Sequence, residues 1–204
     1  MEKNLRKSVK SVDKKSMKIG LFGGSFDPPH NGHISAARAA LEKAGLAAVV
    51  FVPARISPLK IGQMRAPDAD RLAMLRLAVA DEPRFRVSDF ELLRPGVSFT
   101  IDTVRHFISE NPDDEFHLII GADSLATFHH WKDADEIARL CRIIILARDG
   151  SPHSDNAEFT FVNDFDCPVS STEIRRIVSS SAPIPADYIP PAVAGYIRRH
   201  ALYK

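Results

Sequence analysis

One segment constrains this chain more than any other: Gly23-Gly24-Ser25-Phe26-Asp27-Pro28-Pro29-His30-Asn31-Gly32-His33. The apolar residues 19–22 before it predict a buried strand. The residues after it predict an amphipathic helix closed by a glycine, with these positions at helical spacing: Ile34, Ala37, Leu41, Ala44 and then Gly45. The segment is therefore predicted to be a strand-to-helix turn. Its glycines let the backbone approach a ligand, and free N–H groups at the helix start attract phosphate.

The rest of the chain repeats this alternation of strand and helix. Further apolar strands are predicted at residues 47–52, 85–87, 116–120, 142–147 and 159–162, with helical patterns between them and two closing helices from about Ser171 and Pro191. Nearly continuous apolar strands indicate a parallel sheet that is covered on both faces. The predicted fold is thus α/β, a Rossmann-like doubly wound parallel sheet with helices on both faces, in a single domain.

Charge is distributed unevenly along the chain. Residues 1–16 carry six basic and two acidic side chains, whereas the remaining residues have 21 basic and 24 acidic ones. We expect a basic, disordered tail at 1–16 and one domain at 17–204. The mildly acidic body argues against a nucleic-acid surface, and no apolar run is long enough for a membrane span. Two widely spaced cysteines, Cys141 and Cys167, indicate reduced thiols of a cytoplasmic protein.

His30 and His33 allow three interpretations. As zinc ligands they lack further partners at a usual spacing. Each could be an ordinary core or surface histidine, but two of them flanking Gly32 at a phosphate-shaped turn weaken that view. The third interpretation is electrostatic: imidazoles that donate to the oxygens of a triphosphate under attack.

The segment 23–33 resembles the signature of the nucleotidyltransferase superfamily with the His-x-Gly-His motif, and within it the bacterial nicotinate-nucleotide adenylyltransferases. The resemblance implies that His33, with His30 beside it, acts on the nucleotide. It also implies that the turn residues Gly23, Gly24, Ser25 and Phe26 bind ATP.

A second motif lies at Ser170-Ser171-Thr172-Glu173-Ile174-Arg175. By itself it predicts only a capping box between Ser170 and Glu173. It also resembles the second motif of the superfamily, which implies that Ser171, Thr172 and Arg175 hold the outer phosphates of ATP, with Arg175 among the catalytic residues. Both interpretations are compatible, because a capped helix start still offers N–H groups and hydroxyls to phosphate.

Two further segments carry open alternatives. Gly121 and Asp123 follow a predicted strand, so Asp123 could cap the next helix, or, by resemblance, Gly121 and Asp123 could bind the ATP ribose. Trp131, the only tryptophan, could belong to the core, whereas the resemblance implies stacking on a nicotinate ring.

The remaining candidate site residues lie in three other parts of the chain. Thr100 and Asp102 lie in Ser98-Phe99-Thr100-Ile101-Asp102-Thr103, which resembles the family's nicotinate-carboxylate segment but could equally be a capped helix start. Lys60 is implied to reach an ATP phosphate, although Leu59 replaces the usual histidine before it. Arg148 ends the strongest strand, where it could contact nicotinate mononucleotide, the second substrate that the resemblance implies, or simply face solvent.

The resemblance implies transfer of the adenylyl group of ATP to nicotinate mononucleotide, with Mg²⁺ carried by ATP. The alternatives are a phosphopantetheine adenylyltransferase, a nicotinamide-specific relative, a catalytically inactive nucleotide sensor and, on the basic tail alone, a nucleic-acid-binding protein. We expect no nucleic-acid or membrane partner, and the sequence leaves a homo-oligomer open.

Overall fold

A computed structural model of the protein describes residues 16–58, 66–147, 159–163, 165 and 169–204. Its centre is a six-stranded, fully parallel sheet in the order β3-β2-β1-β4-β5-β6. The strands are β1 (Lys18–Gly24), β2 (Ala48–Pro53), β3 (Phe85–Val87), β4 (Glu115–Gly121), β5 (Arg142–Leu146) and β6 (Phe159–Val162). The sheet is buried on both faces because its strands are almost entirely apolar.

Helices cover both faces of this sheet. Their bounds are α1 (Asn31–Lys43), α2 (Asp68–Val79), α3 (Phe90–Leu93), α4 (Thr100–Glu110), α5 (Ala122–Leu125), α6 (Ala134–Leu140), α7 (Ser171–Ser179) and α8 (Pro191–Arg199). One face packs against α1 and α2 through the cluster that contains Leu41 and Leu75. The other packs against α4 and α6 through the cluster that contains Val104 and Ile137.

A third apolar cluster joins α7 and α8 to the outer side of α2. Its core includes Met74 of α2, Ile174 of α7 and Val193 of α8. This packing fixes where α7 begins, and that start faces the turn between β1 and α1. The tertiary fold thus brings together the two motifs, which are well over a hundred residues apart in the chain.

The predicted fold is confirmed, including all six strands and the closing helices. Gly45 follows the end of α1 with φ +60°, the left-handed conformation that the sequence predicts there. The short helices α3 and α5 and a 3-10 turn at Phe128–His130 were not predicted, because they carry too few residues for a periodic pattern.

Several sequence predictions fall outside the described residues. These are the tail 1–16 apart from Ser16, and the side chains Lys60, Arg148 and Cys167. Within the described ranges, each helix is too short or too polar to span a bilayer.

Candidate active site

From β1 the sheet extends to one side through β2 and β3, and to the other side through β4, β5 and β6. The topological switch point therefore lies between β1 and β4, and open α/β sheets bind ligands at such a point. A cleft of about 470 Å³ opens at this point, beyond the carboxyl ends of both strands. Among the predicted site residues its lining includes Gly23, Gly24, Ser25, Thr100 and Trp131. The structure therefore brings these five together.

The two positions at the end of β1 are occupied by glycine for different structural reasons. A Cβ on Gly23 would meet nothing within 4 Å, so this position opens onto the cleft. A Cβ on Gly24 would lie 3.0 Å from the ring of Phe26, which is 1% exposed and has φ +46°. Phe26 therefore anchors the turn from within the core, and Gly24 makes room for it.

His30 and His33 form one unit at the start of α1. Their ring centroids lie 3.6 Å apart, and the His30 backbone N–H donates to Nδ1 of His33 at 3.2 Å. Because Nδ1 accepts this bond, the proton of a neutral His33 ring is on Nε2, which makes Nε2 a donor. His30 is 5% exposed, whereas His33 is half-buried against the edge of Phe26. His33 is thus the more accessible of the two.

The expectation that free backbone N–H groups of α1 face the ligand is wrong in part. The Asn31 N–H donates to the carbonyl of Tyr188 at 2.9 Å, and the His33 N–H donates to the carbonyl of His30 at 2.9 Å. The first bond is tertiary, because the segment before α8 lies over this helix start, whereas the second is local to the first turn of α1. Those two amides are therefore already bonded within the protein.

The start of α7 lies directly against the histidine turn. Ser171 Oγ donates to the carbonyl of Pro28 at 2.9 Å, and Arg175 donates to the carbonyl of Asp27 at 2.7 Å. Arg175 also donates to Thr172 Oγ1 at 3.1 Å, which keeps the guanidinium at the first turn of the helix. The two helix starts therefore share one edge of the molecule, and both contribute polar side chains there.

The predicted capping box at α7 forms only in part. Ser170 accepts the Glu173 N–H at 3.2 Å and so caps the helix. The Glu173 carboxylate instead accepts two hydrogen bonds from Arg176, the main reason why the pKa of Glu173 lies below its ordinary value. An i, i+3 arginine on the same exposed helix face competes successfully for the carboxylate.

Gly121 and Asp123 lie beside the cleft. Gly121 ends β4 and is the N-cap residue of α5, so Asp123 is inside the first turn and exposed. The alternative in which Asp123 caps the next helix is therefore wrong, and its exposed carboxylate lies at the ligand edge. The next residue, Ser124, lines the cleft.

Trp131 packs against the core, as one of its two predicted alternatives states, and its stacking role stays a prediction. It packs against the apolar cluster beneath α4 and α6, with its ring 5.4 Å from that of Phe128, and it also lines the cleft. It follows a 3-10 turn and has an extended backbone, with φ −70°.

The α4 start departs from the predicted cap. Its N-cap residue is Phe99, so neither Thr100 nor Asp102 caps the helix. Thr100 lines the cleft, whereas Asp102 lies 3.6 Å from Arg94 and 3.8 Å from Lys132. Asp102 thus pairs with these two cations and is not among the residues that line the cleft.

Sequence reasoning missed three charged residues around this site. Lys132 lines the cleft, with Nζ 4.8 Å from the centre of the Phe99 ring. Glu91 also lines it; it accepts from Thr103, and burial is the main cause that raises its pKa. Arg71 is 0% exposed and donates to the carbonyls of Ser25 and Ala54, both at 2.7 Å. The fully buried arginine could not have been found from sequence, because nothing in the local pattern distinguishes it from other polar helix residues.

This fold and site define a nucleotide-binding α/β protein of the Rossmann-like class. The family model described as cytidylyltransferase-like matches residues 21–177. A Neisseria meningitidis protein named "Probable nicotinate-nucleotide adenylyltransferase" is 43% identical over 201 residues, covering 92% of this chain and 98% of that protein. An Opitutus terrae protein of the same name is 41% identical over 194 residues, with the same coverage of both chains. The chain belongs to the cytidylyltransferase-like family, and within it to the nicotinate-nucleotide adenylyltransferases.

Solved structures agree on the fold. The nicotinic acid mononucleotide adenylyltransferase of Plasmodium falciparum, complexed with NaAD, has a TM-score of 0.75 and 19% identity, covering 92% of this chain and 97% of that one. The same protein complexed with APC has a TM-score of 0.75 and 18% identity. Two structures at this low identity show a shared fold.

Proposed function

We propose that this protein transfers the adenylyl group of ATP to nicotinate mononucleotide, giving deamido-NAD (nicotinate adenine dinucleotide) and pyrophosphate, a step of NAD biosynthesis. Family membership supports the activity. The observation that carries it is the contact of Ser171 and Arg175 with the turn that bears His30 and His33, next to a cleft lined by Trp131. Cationic and hydroxyl donors for a triphosphate thus lie beside an apolar slot for a planar ring.

The chemistry asks the protein mainly to position its substrates. The 5′-phosphate of the mononucleotide attacks the α-phosphorus of ATP in line and pyrophosphate leaves, without a protein nucleophile. His33, with a proton on Nε2, donates to the phosphate oxygens as charge develops, and His30 supports it. Arg175, Ser171 and Thr172 hold the outer phosphates, while Gly23, Gly24, Ser25 and Phe26 form the turn over which ATP lies.

The other ATP contacts come from the end of β4. Asp123 is exposed there and accepts the ribose hydroxyls, next to Gly121. Lys60 and Arg148, which lie outside the described residues, are proposed phosphate contacts for ATP and the mononucleotide. We propose that Mg²⁺ arrives with ATP. Among the described residues no group of three or more His, Cys, Asp or Glu is placed to hold a metal ion.

The nicotinate ring stacks on Trp131, and its carboxylate faces the first turn of α4 at Thr100. Asp102 acts in the same segment by holding Lys132, whose ammonium lies 3.8 Å from it. Lys132 then brings positive charge to the cleft, which favours a nicotinate carboxylate over the neutral amide of nicotinamide.

Pyrophosphate release from MgATP is the direct test. Nicotinate mononucleotide should support turnover, whereas nicotinamide mononucleotide and phosphopantetheine should support far less. Turnover with phosphopantetheine alone would assign the other adenylyltransferase activity. ATP binding without any pyrophosphate release would assign a nucleotide sensor.

The charge-selection step has a separate test with a matched control. Lys132→Gln should raise KM for nicotinate mononucleotide by about tenfold, the scale of one partly exposed charge contact, and leave KM for the nicotinamide analogue unchanged. Lys43→Gln, at the exposed far end of α1, is the control for lost positive charge. Equal effects of Lys132→Gln on both mononucleotides would refute the role of Lys132.

The setting of the enzyme is also proposed. We propose a cytoplasmic enzyme with small-molecule partners, ATP and nicotinate mononucleotide, and no nucleic-acid or membrane partner. The acidic balance of residues 17–204 argues against a nucleic-acid partner.

A further inference from the structure

The histidine turn contains a buried carboxylate whose partners come from distant parts of the chain. Asp27 is 2% exposed. Its Oδ1 accepts the hydroxyl of Tyr203 at 2.6 Å and the N–H of Ala66 at 3.2 Å, while its carbonyl accepts from Arg175. Asp27 therefore ties together the turn, the segment before α2, the start of α7 and the segment after α8.

The segment after α8 adopts an unfavourable backbone to deliver Tyr203. Ala201 and Tyr203 have φ +51° and +65°, the left-handed region that non-glycine residues rarely occupy. Each such residue costs about 1 kcal/mol or more, so other contacts must hold the segment in place. Leu202 and Tyr203 pack against the cluster formed by α2, α7 and α8. Burial, then the bond to Asp27, raises the pKa of Tyr203, so its hydroxyl stays a donor.

We propose that Tyr203 is a positioning residue for the proposed adenylyl transfer: through Asp27 it fixes the turn that carries His30 and His33. A buried carboxylate needs strong donors, and removal of one forces it to turn toward water or toward another partner. Asp27 is three residues before His30 and its carbonyl binds Arg175, so such a shift moves both halves of the phosphate site together. Nucleotidyl transfer depends on position, and small displacements of donors are costly in rate.

The test compares Tyr203→Phe with Tyr196→Phe. Tyr196 is a well-matched control, because it belongs to α8, packs on the same cluster and donates to a carboxylate, that of Asp70, at 2.8 Å. Both changes remove one hydroxyl and keep the ring, but only Tyr203 contacts the turn. Thermal unfolding of both variants gives their stability, and pyrophosphate release gives kcat and KM for ATP.

Tyr203→Phe should lower kcat by about tenfold with a smaller change in KM for ATP, as expected when donors are displaced rather than removed. Tyr196→Phe should keep the wild-type kcat at a similar loss of stability. Asp27→Asn should also lower kcat, and the double variant with Tyr203→Phe should lose no more than the worse single variant. Equal kcat values for the two tyrosine variants, or additive losses in the double variant, would overturn the proposal.

A readout that needs no turnover separates this inference from the proposed activity. Histidine ring signals in NMR spectra of the substrate-free protein should shift for His30 and His33 in Tyr203→Phe and stay in place in Tyr196→Phe. If the ring signals shift but the wild-type protein releases no pyrophosphate, the positioning role stands and the proposed reaction is refuted. Unshifted rings would remove the positioning role alone.

Discussion

His33 has two physical roles in this structure, and a pair of variants can separate them. Its Nδ1 caps the start of α1 by accepting the His30 N–H, and its Nε2 is the proposed donor to the triphosphate. His33→Ala removes both. Loss of the cap costs about 1 kcal/mol, and for a domain of this size that lowers Tm by roughly 2–4 °C.

The catalytic loss should be much larger than the loss of stability. Removal of one preorganised donor to a developing charge typically lowers kcat by about 10²–10³. That corresponds to roughly 3–4 kcal/mol of transition-state stabilisation, several times the value of the cap. The assay is continuous pyrophosphate release with MgATP and nicotinate mononucleotide, with thermal unfolding measured on the same preparation.

His33→Asn is the matched variant, because its amide oxygen can accept the His30 N–H but the side chain has no Nε2. It should recover most of the stability and little of the turnover. If His33→Asn restores kcat together with Tm, or if His33→Ala turns over at nearly the wild-type rate, His33 serves as a cap only.

Three further outcomes follow from particular side chains. Nicotinate mononucleotide should quench the fluorescence of Trp131, the only tryptophan, and Trp131→Ala should raise KM for this substrate more than KM for ATP; unchanged fluorescence at saturation would contradict the stacking role. Glu91 has a raised pKa in the folded protein, so it binds its proton more tightly there than in the unfolded chain, and its contribution to stability falls as pH rises from about 4.5 through the folded pKa. The free energy of unfolding of Glu91→Gln relative to wild type, measured in urea titrations, should therefore be higher at pH 7 than at pH 4. A difference that does not change with pH would refute this. Burial raises the pKa of Cys141 to about 12, so in a Cys167→Ser background its thiol should react with a disulfide reagent at pH 8 only after unfolding.

Elements with a long periodic pattern could be predicted from the sequence. The six strands, α1, α2 and α4 follow from apolar runs and helical spacing, and the position of Gly45 follows from the end of one such pattern. The predictions that failed concern helix starts, where several nearby groups compete for the same hydrogen bonds. Phe99 rather than Thr100 or Asp102 is the N-cap residue of α4, and Glu173 binds Arg176 rather than the helix start. Sequence cannot rank such partners, because their free energies differ by only a few tenths of a kcal/mol to about 1 kcal/mol.

The sequence by itself determined the α/β class, the turn at residues 23–33 and the family, because strand and helix periodicity and an unbroken motif are local properties of the chain. Only the tertiary structure decided that Ser171 and Arg175 touch Pro28 and Asp27, that Arg71 is buried beneath the turn, and that Tyr203 reaches Asp27. Such contacts join residues that lie as far as 176 positions apart. They form because the apolar cluster between α2, α7 and α8 must be buried, and the polar groups at its edge then find partners that no local pattern encodes.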